Sequence, residues 1–462
     1  MIHDANKSPS KRADAKSVDQ TPPQRVPGPR GLPFAGVGLQ LQKHGCAYLS
    51  ELTSRYGRIV NFPLPGIRGV LVADKDLVKQ VLLKTERGFY KGKIYDLLTP
   101  VVGRGLVTNQ GASWRKRRLL LKPMFQPSAL SELDPILDSC CQKLFAQIEQ
   151  SIDQRRPLDT TASMMELTFS VLIRSFFSGD LTSHYQELAG AFAQLQAWIG
   201  HRFWAPIRLP PNWPTPRNRQ FHKAMDYLRA AVLDLIRQRR SRPSRQGGDL
   251  LDRILVARDA ETGSPLTEQE LIDEIITMLI AGHDTTALTL SFTCALLAEH
   301  PIQAAKLVSD LSRGHDAEAI LLPYIYESMR LYPAVYMINR NNSEPFGFGS
   351  YEFPAHTTFF VSQYAVHRDP EYWPDPMNFQ PERFAAGVPD DFRFFPFAGG
   401  HRTCIGNHLA MKEAVGVLAR LLPHFVPRRL CQPFRLMANL TSIPQPGVTL
   451  EWGATKISSL SR

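Results

Sequence analysis

Near the C-terminal end of the chain stands Phe397-Ala-Gly-Gly400-His-Arg402-Thr-Cys404-Ile-Gly406. Its glycines let the backbone come close to a bulky group. They lead into an expected helix from about 406 to 421, whose amide dipoles point at the cysteine. A thiolate at such a junction is favoured by the dipole and by amide donors. Arg402 adds fixed positive charge for an acidic group. A solitary Cys is usually an inert buried apolar group, and that reading suits Cys46, Cys140, Cys141, Cys294 and Cys431. Inert packing requires neither flanking glycines nor an arginine, so it suits Cys404 badly. Zinc also fits badly, because no second Cys stands at ligand spacing.

A second chemical cluster is Ala281-Gly282-His283-Asp284-Thr285-Thr286. It falls in the middle of the longest expected helix, Thr267 to His300. Thr267 and Glu270 have capping-box spacing at its start, and Pro301 stops it. Apolar residues surround this helix almost completely, which puts it at the centre of the fold. A carboxylate and two β-branched hydroxyls are costly there. Two readings follow. One is a tolerated polar kink; the other is a cavity wall where a ligand docks against Gly282 and meets an acid and a hydroxyl.

The elements that must position these groups follow from the remaining pattern. With 43 % hydrophobic residues in 462, the chain can bury a large core, which excludes disordered, collagenous and disulfide-scaffold classes. Six scattered Cys read as reduced thiols. There is no secretory apolar stretch at the N-terminus, and no uncharged apolar run of the ~18–20 residues a membrane helix needs. The expectation is a cytoplasmic protein without an integral membrane anchor. Residues 1–30 are polar and Pro-dotted, a disordered leader with a stiff Pro-rich approach segment. Short β-like runs such as Arg58–Phe62 and Gly69–Ala73 alternate with helices up to about 110. Helices dominate from 112 to 332, apart from an expected Trp- and Pro-rich loop, Trp198–Pro216. The fold class is α+β, mainly α, as one domain over 31–462 with a long central helix and small sheets.

At this point the motifs resemble those of the cytochrome P450 haem-thiolate monooxygenases. Phe397 to Gly406 matches F-x-x-G-x-R-x-C-x-G throughout. Glu327-Ser-Met-Arg330 is similar to the E-x-x-R pair, Pro381-Glu-Arg383-Phe384 to P-E-R-F, and Trp114-x-x-x-Arg118 to the haem-propionate contact. Ala281–Thr286 resembles the oxygen-activation motif. The resemblance spans about residues 25–450. It implies heme b with Cys404 as axial iron ligand and Phe397, Gly400 and Gly406 around it. Trp114, Arg118, Arg340 and Arg402 would hold the propionates. Asp284 would conduct protons and Thr285 would supply the hydroxyl at the oxygen site. Glu327 and Arg330, three apart on one helix face, would gain Arg383 as a third partner and hold the Cys loop. A peroxide-using peroxygenase, an isomerase on the same fold and a non-catalytic haem sensor are the alternatives; Asp284-Thr285 argues against the sensor.

The length matches a haem domain alone, and no G-x-G-x-x-G, P-loop or ferredoxin Cys spacing is present. Electrons from NAD(P)H are therefore expected through a separate ferredoxin or flavodoxin-type donor with its reductase. The basic stretch Arg115-Lys-Arg-Arg118 with Lys122 is either its docking face or an ordinary solvated one. The net charge of +11 does not imply nucleic acid, since the basic clusters lack interleaved aromatics. By resemblance, Tyr90–Val107 and the Trp198–Trp213 region line a substrate channel. Leu279, Ile280, Gly282, Trp198, Phe203 and Trp204 are its candidate residues, with helix–loop packing as the competing account of the aromatics. The substrate expected is a large lipophilic molecule, and the protein a monomer.

Overall fold

Thr267 starts the central helix. Its amide donates to Glu270 Oε2 at 2.9 Å while its hydroxyl accepts from the Glu270 amide at 3.3 Å, the reciprocal capping box. In the computed structural model the helix runs Glu268–Glu299, and Pro301 opens the next helix, Pro301–Ser312. At ~1.5 Å per residue it is about 48 Å long, enough to cross the domain. It packs most extensively against the helix Thr160–Phe177. Among the described residues it is the one helix long and apolar enough to cross a membrane, yet 78 % of that stretch is buried inside the protein. The structure describes residues 24–178, 185–205, 208–241, 249–258, 263–314 and 316–455.

The fold class is α+β, mainly α, as expected. A five-stranded sheet has the order Ile59–Asn61, Gly69–Val72, Thr358–Val361, Ile338–Asn342, Phe89–Tyr90. Only Gly69–Val72 and Thr358–Val361 pair in parallel; residues 69, 70, 71 and 72 face 358, 359, 360 and 361. A second small core, including Val72, Leu77, Phe89 and Phe359, lies against this sheet, while the main core surrounds the central helix.

Two expectations are corrected. Residues 1–23 lie outside the described residues, but 24–30 are tied to the fold. The Gln24 amide donates to the Ser350 carbonyl at 2.9 Å, and the carbonyls of Pro27 and Pro29 accept from the Asn61 amide and Nδ2. Packing thus begins before residue 31. The expected loop from Trp198 is helix as far as Trp204, within Tyr185–Trp204. Leu188, Ala191, Phe192, Leu195, Trp198 and Ile199 recur at helical spacing and all are buried.

Candidate active site

The central helix faces the Cys404 loop across a cavity of about 440 Å³, within the range of small-molecule and cofactor sites, about 300–1,000 Å³. The helix turns Glu274, Thr277, Met278, Ala281, Thr285 and Thr289 toward it, a stripe at spacings of three and four. Gly282, Asp284 and Ile280 also reach the wall. Leu279 does not: it is fully buried off that stripe, because one residue from Met278 is a rotation of about 100°. Gly282 allows close packing as well, since a Cβ there would stand 3.0 Å from Leu172 Cδ1 of the adjoining helix.

The Cys404 loop descends from the extended Gly399 through a short 3-10 turn, Gly400–Arg402, and Gly406 precedes the helix Asn407–Leu421. The Cys404 amide donates to the Phe397 carbonyl at 2.9 Å. Of the six cysteines only Cys404 is exposed, and what it faces is the cavity, with Phe397 and Gly406 beside it. The protein walls around it still raise its thiol pKa, against the pull of the Gly406 amide and Arg118. The Gly406 amide at this junction favours the thiolate, while burial works against it. A bound metal cation would deprotonate such a thiol outright. Gly400 is not in the cavity wall. Its φ of +67° and the Leu82 carbonyl beside it make it a backbone-approach residue.

Four cations rim one end of the cavity: Lys91, Arg118, Arg340 and Arg402. Arg402 lies 3.6 Å from the Trp114 ring centroid, pairs with Glu86, and donates to the Asn109 carbonyl at 2.8 Å. Arg340 donates to Tyr95 Oη at 3.0 Å. Burial pulls the pKa of Arg118 down. It does the same for Arg402, against Glu86, while Arg340 adds to the lowering. Lys91, whose ammonium donates to the Val107 carbonyl, is held well below its ordinary value by burial and then by Arg402 and Arg340. One carboxylate, Glu86, does not balance four basic side chains, of which Lys91, Arg340 and Arg402 are buried and Arg118 half-buried. A ligand bearing carboxylates at this end would relieve their repulsion.

Behind the loop, Glu327 is fully buried and grips Arg330 at 2.7 and 2.8 Å. Arg383 Nε lies 3.4 Å from Glu327 Oε1, which also accepts the Gln380 amide at 2.9 Å. Arg330 donates to the carbonyls of His367, Pro376 and Asn378. His367 Nε2 in turn accepts the Phe395 amide at 3.1 Å, and Gln363 Nε2 donates to the Phe395 and Pro396 carbonyls. Hydrogen bonds therefore run without a break from Glu327 to the residues preceding Phe397.

On the central helix, the Thr285 hydroxyl donates to the Ala281 carbonyl at 3.1 Å, and Asp284 Oδ1 lies 2.9 Å from His283 Nδ1. Phe203 and Ile199 line the cavity; so do Lys91, Ile94, Tyr95, Leu98, Val102, Leu106 and Val107 from the 90–107 segment. Trp198 is not in the wall. Its indole stacks on Phe221 at 3.9 Å and donates to Asn218 Oδ1 at 2.9 Å, as a packing residue does. The Trp204 side chain lies outside the described residues. Trp198→Ala is expected to cost about 3–5 kcal/mol of stability in chemical unfolding while leaving ligand-induced spectral shifts unchanged. Phe203→Ala is expected to do the reverse.

Spacing alone does not mark Lys91, Glu86, His283, Gln363, His367 or Glu413 as site residues. Glu413 lines the cavity with Oε1 unpartnered. Burial raises its pKa to about 8. Arg117, expected on a basic face, is instead buried and paired at 3.0 Å with both Glu270 and Glu274. The exposed part of that face is Arg115 and Lys122.

The Cytochrome P450 family profile matches residues 26–433. The chain is 30 % identical to cyclooctat-9-en-7-ol 5-monooxygenase of Streptomyces melanosporofaciens over 87 % of this chain and 90 % of that one. It is 28 % identical to cyclooctatin synthase of the same organism, over 85 % and 88 %. With cytochrome P450 4A24 of Sus scrofa it shares 29 % identity over 87 % and 85 %. The chain belongs to the cytochrome P450 family. It is a haem monooxygenase, an oxidoreductase that works with a redox partner on a lipophilic substrate.

Proposed function

We propose that this enzyme inserts one atom of O2 into a bulky lipophilic substrate, by hydroxylation or epoxidation, with electrons from NAD(P)H delivered by a ferredoxin or flavodoxin-type protein. The observation that carries the reading is one cavity that joins the Cys404 thiol, the cationic rim and the Asp284-Thr285 pair to largely apolar walls. The donor set suits heme b: Cys404 would ligate the iron, and Lys91, Arg118, Arg340, Arg402 and Trp114 would hold the propionates. When bound, the haem supplies O2 activation, favoured by an electron-donating thiolate. The protein's own residues do the rest. Gln363 and the Glu327–Arg330–Arg383 trio hold the Cys404 loop in register. Phe203, Ile280 and Leu98 exclude water and orient an apolar substrate. Asp284 moves protons toward the cavity, and the Thr285 hydroxyl holds a hydrogen bond where oxygen would lie. The exposed Arg115 and Lys122 are the proposed contact for an acidic electron donor.

The name of one relative gives cyclooctat-9-en-7-ol as its substrate. A large alicyclic or acyl hydrocarbon skeleton is the corresponding class proposed here. Thr285→Ala is expected to leave substrate-induced spin shifts intact and to divert most NAD(P)H electrons to peroxide, measured as product formed per NAD(P)H consumed with a surrogate reductase. Unchanged coupling in this variant would remove Thr285 from the role. Turnover on peroxide alone, with none from the reductase, would turn the reading to a peroxygenase.

A further inference from the structure

Asp284 reaches two spaces. One is the main cavity; the other is a small void of about 10 Å³, walled by Phe192, Leu195, Gln196, Ile199, Ile280, His283 and Asp284. That is room for about one water, provided that polar partners are present. His283 supplies one. Its ring is wedged between Phe169 and Phe192, with centroids at 5.3 and 6.1 Å, and is more than nine-tenths buried. Nδ1 faces Asp284 Oδ1 at 2.9 Å, whereas the buried Nε2 has no protein partner. The Thr168 hydroxyl donates to the His283 carbonyl at 3.0 Å and fixes this turn of the helix against its neighbour. With Nδ1 turned to the carboxylate, Nε2 is left as a buried polar nitrogen that needs a partner of its own. A buried polar nitrogen without a hydrogen-bond partner is costly, and one water would satisfy it. Gln196, also in the wall of the void, is only half-buried and so reaches solvent as well.

We propose that this void holds a single water bound to His283 Nε2, Asp284 and Gln196, and that it is the solvent-side source of the protons Asp284 delivers to the cavity. His283 is a positioning residue in this scheme. Its Nδ1–H fixes the Asp284 carboxylate and its Nε2 anchors the water. For each proton that leaves Asp284 toward the cavity, one arrives from the void water, which regains its own from bulk water beyond Gln196. His283 neither gains nor loses one. The inference rests on the role proposed for Asp284 and adds the route that refills it.

The test has a structural and a kinetic arm. A crystal structure of the haem-loaded chain is expected to show a water within hydrogen-bond distance of His283 Nε2; a dry void would overturn the proposal. His283→Phe keeps the aromatic packing but removes both nitrogens, and Gln196→Leu closes the void's polar end from a half-exposed position that tolerates substitution. Each is expected to raise the peroxide-to-product ratio roughly tenfold and to alter the solvent deuterium isotope effect on turnover. Neither is expected to alter the substrate-induced spin shift or the spectrum of the reduced CO complex. Where His283→Phe fails to fold, Gln196→Leu carries the test. Asp284→Asn separates the two levels. If it uncouples turnover while both other variants behave as the native chain, the refilling route is overturned and the Asp284 role stands. If Asp284→Asn itself leaves coupling unchanged, both fall.

Discussion

Arg330→Ala is expected to yield a chain that is about 3–5 kcal/mol less stable and that retains little haem. The guanidinium is fully buried and satisfies both Glu327 oxygens and the carbonyls of His367, Pro376 and Asn378. Removing it leaves a carboxylate with no exposure and only the more distant Arg383 as a counter-charge. Breaking a buried pair from one side costs about 3–5 kcal/mol, a large share of the about 5–15 kcal/mol that holds a typical domain together. The loss also travels. Arg330 fixes the His367 carbonyl, His367 accepts the Phe395 amide, and Phe395 lies two residues before Phe397. Urea unfolding and the haem-to-protein ratio after purification measure the two effects. Glu327→Leu combined with Arg330→Met removes both charges and is expected to recover part of the stability but not the loop's register. Haem content equal to native in Arg330→Ala would show that the trio does not support the Cys404 loop.

What the sequence revealed and what it hid divide along a physical line. The central helix was legible because its cap, its stop and its apolar girdle are local properties of consecutive residues. The Cys404 loop was legible for the opposite reason: glycines and an arginine around a cysteine make no sense as packing. Aromatic and proline density around Trp198 suggests a loop, although Leu188, Ala191, Phe192 and Leu195 continue a helical repeat into it. Arg117 could not be told from Arg115 by type. Which of them is buried depends on Glu270 and Glu274, more than 150 residues away. Lys91 is hidden likewise, since its burial arises only where the 90–107 segment meets Arg340 and Arg402. The direction of the His283 ring, toward Phe169 and Phe192 and away from the main cavity, is a packing outcome no spacing encodes.

Cys404→Ser is expected to abolish monooxygenase turnover and the thiolate band of the reduced CO complex, while leaving the secondary structure unchanged. The other cysteines cannot substitute. Burial pushes the Cys140 thiol up to about 11 and those of Cys141 and Cys294 to about 12, with Cys46 raised further. None of these four opens on the cavity. Cys431 is partly exposed but lies outside the cavity wall, its amide paired with the Thr449 carbonyl. Cys431→Ser is therefore the matched control and is expected to keep both signals. The Cys404 thiol is itself raised by its protein surroundings, so it becomes a good donor only with a metal cation opposite it. Proton release on haem loading is the corresponding measurement: the native chain is expected to release one proton more than Cys404→Ser when titrated in weak buffer below the thiol pKa. A native CO complex absorbing where histidine-ligated haem does would overturn the assignment, and so would equal proton release by the two proteins. Agreement of the spectrum with the proton count would tie the cavity's single open thiol to the iron through two independent properties, its ligand field and its ionisation.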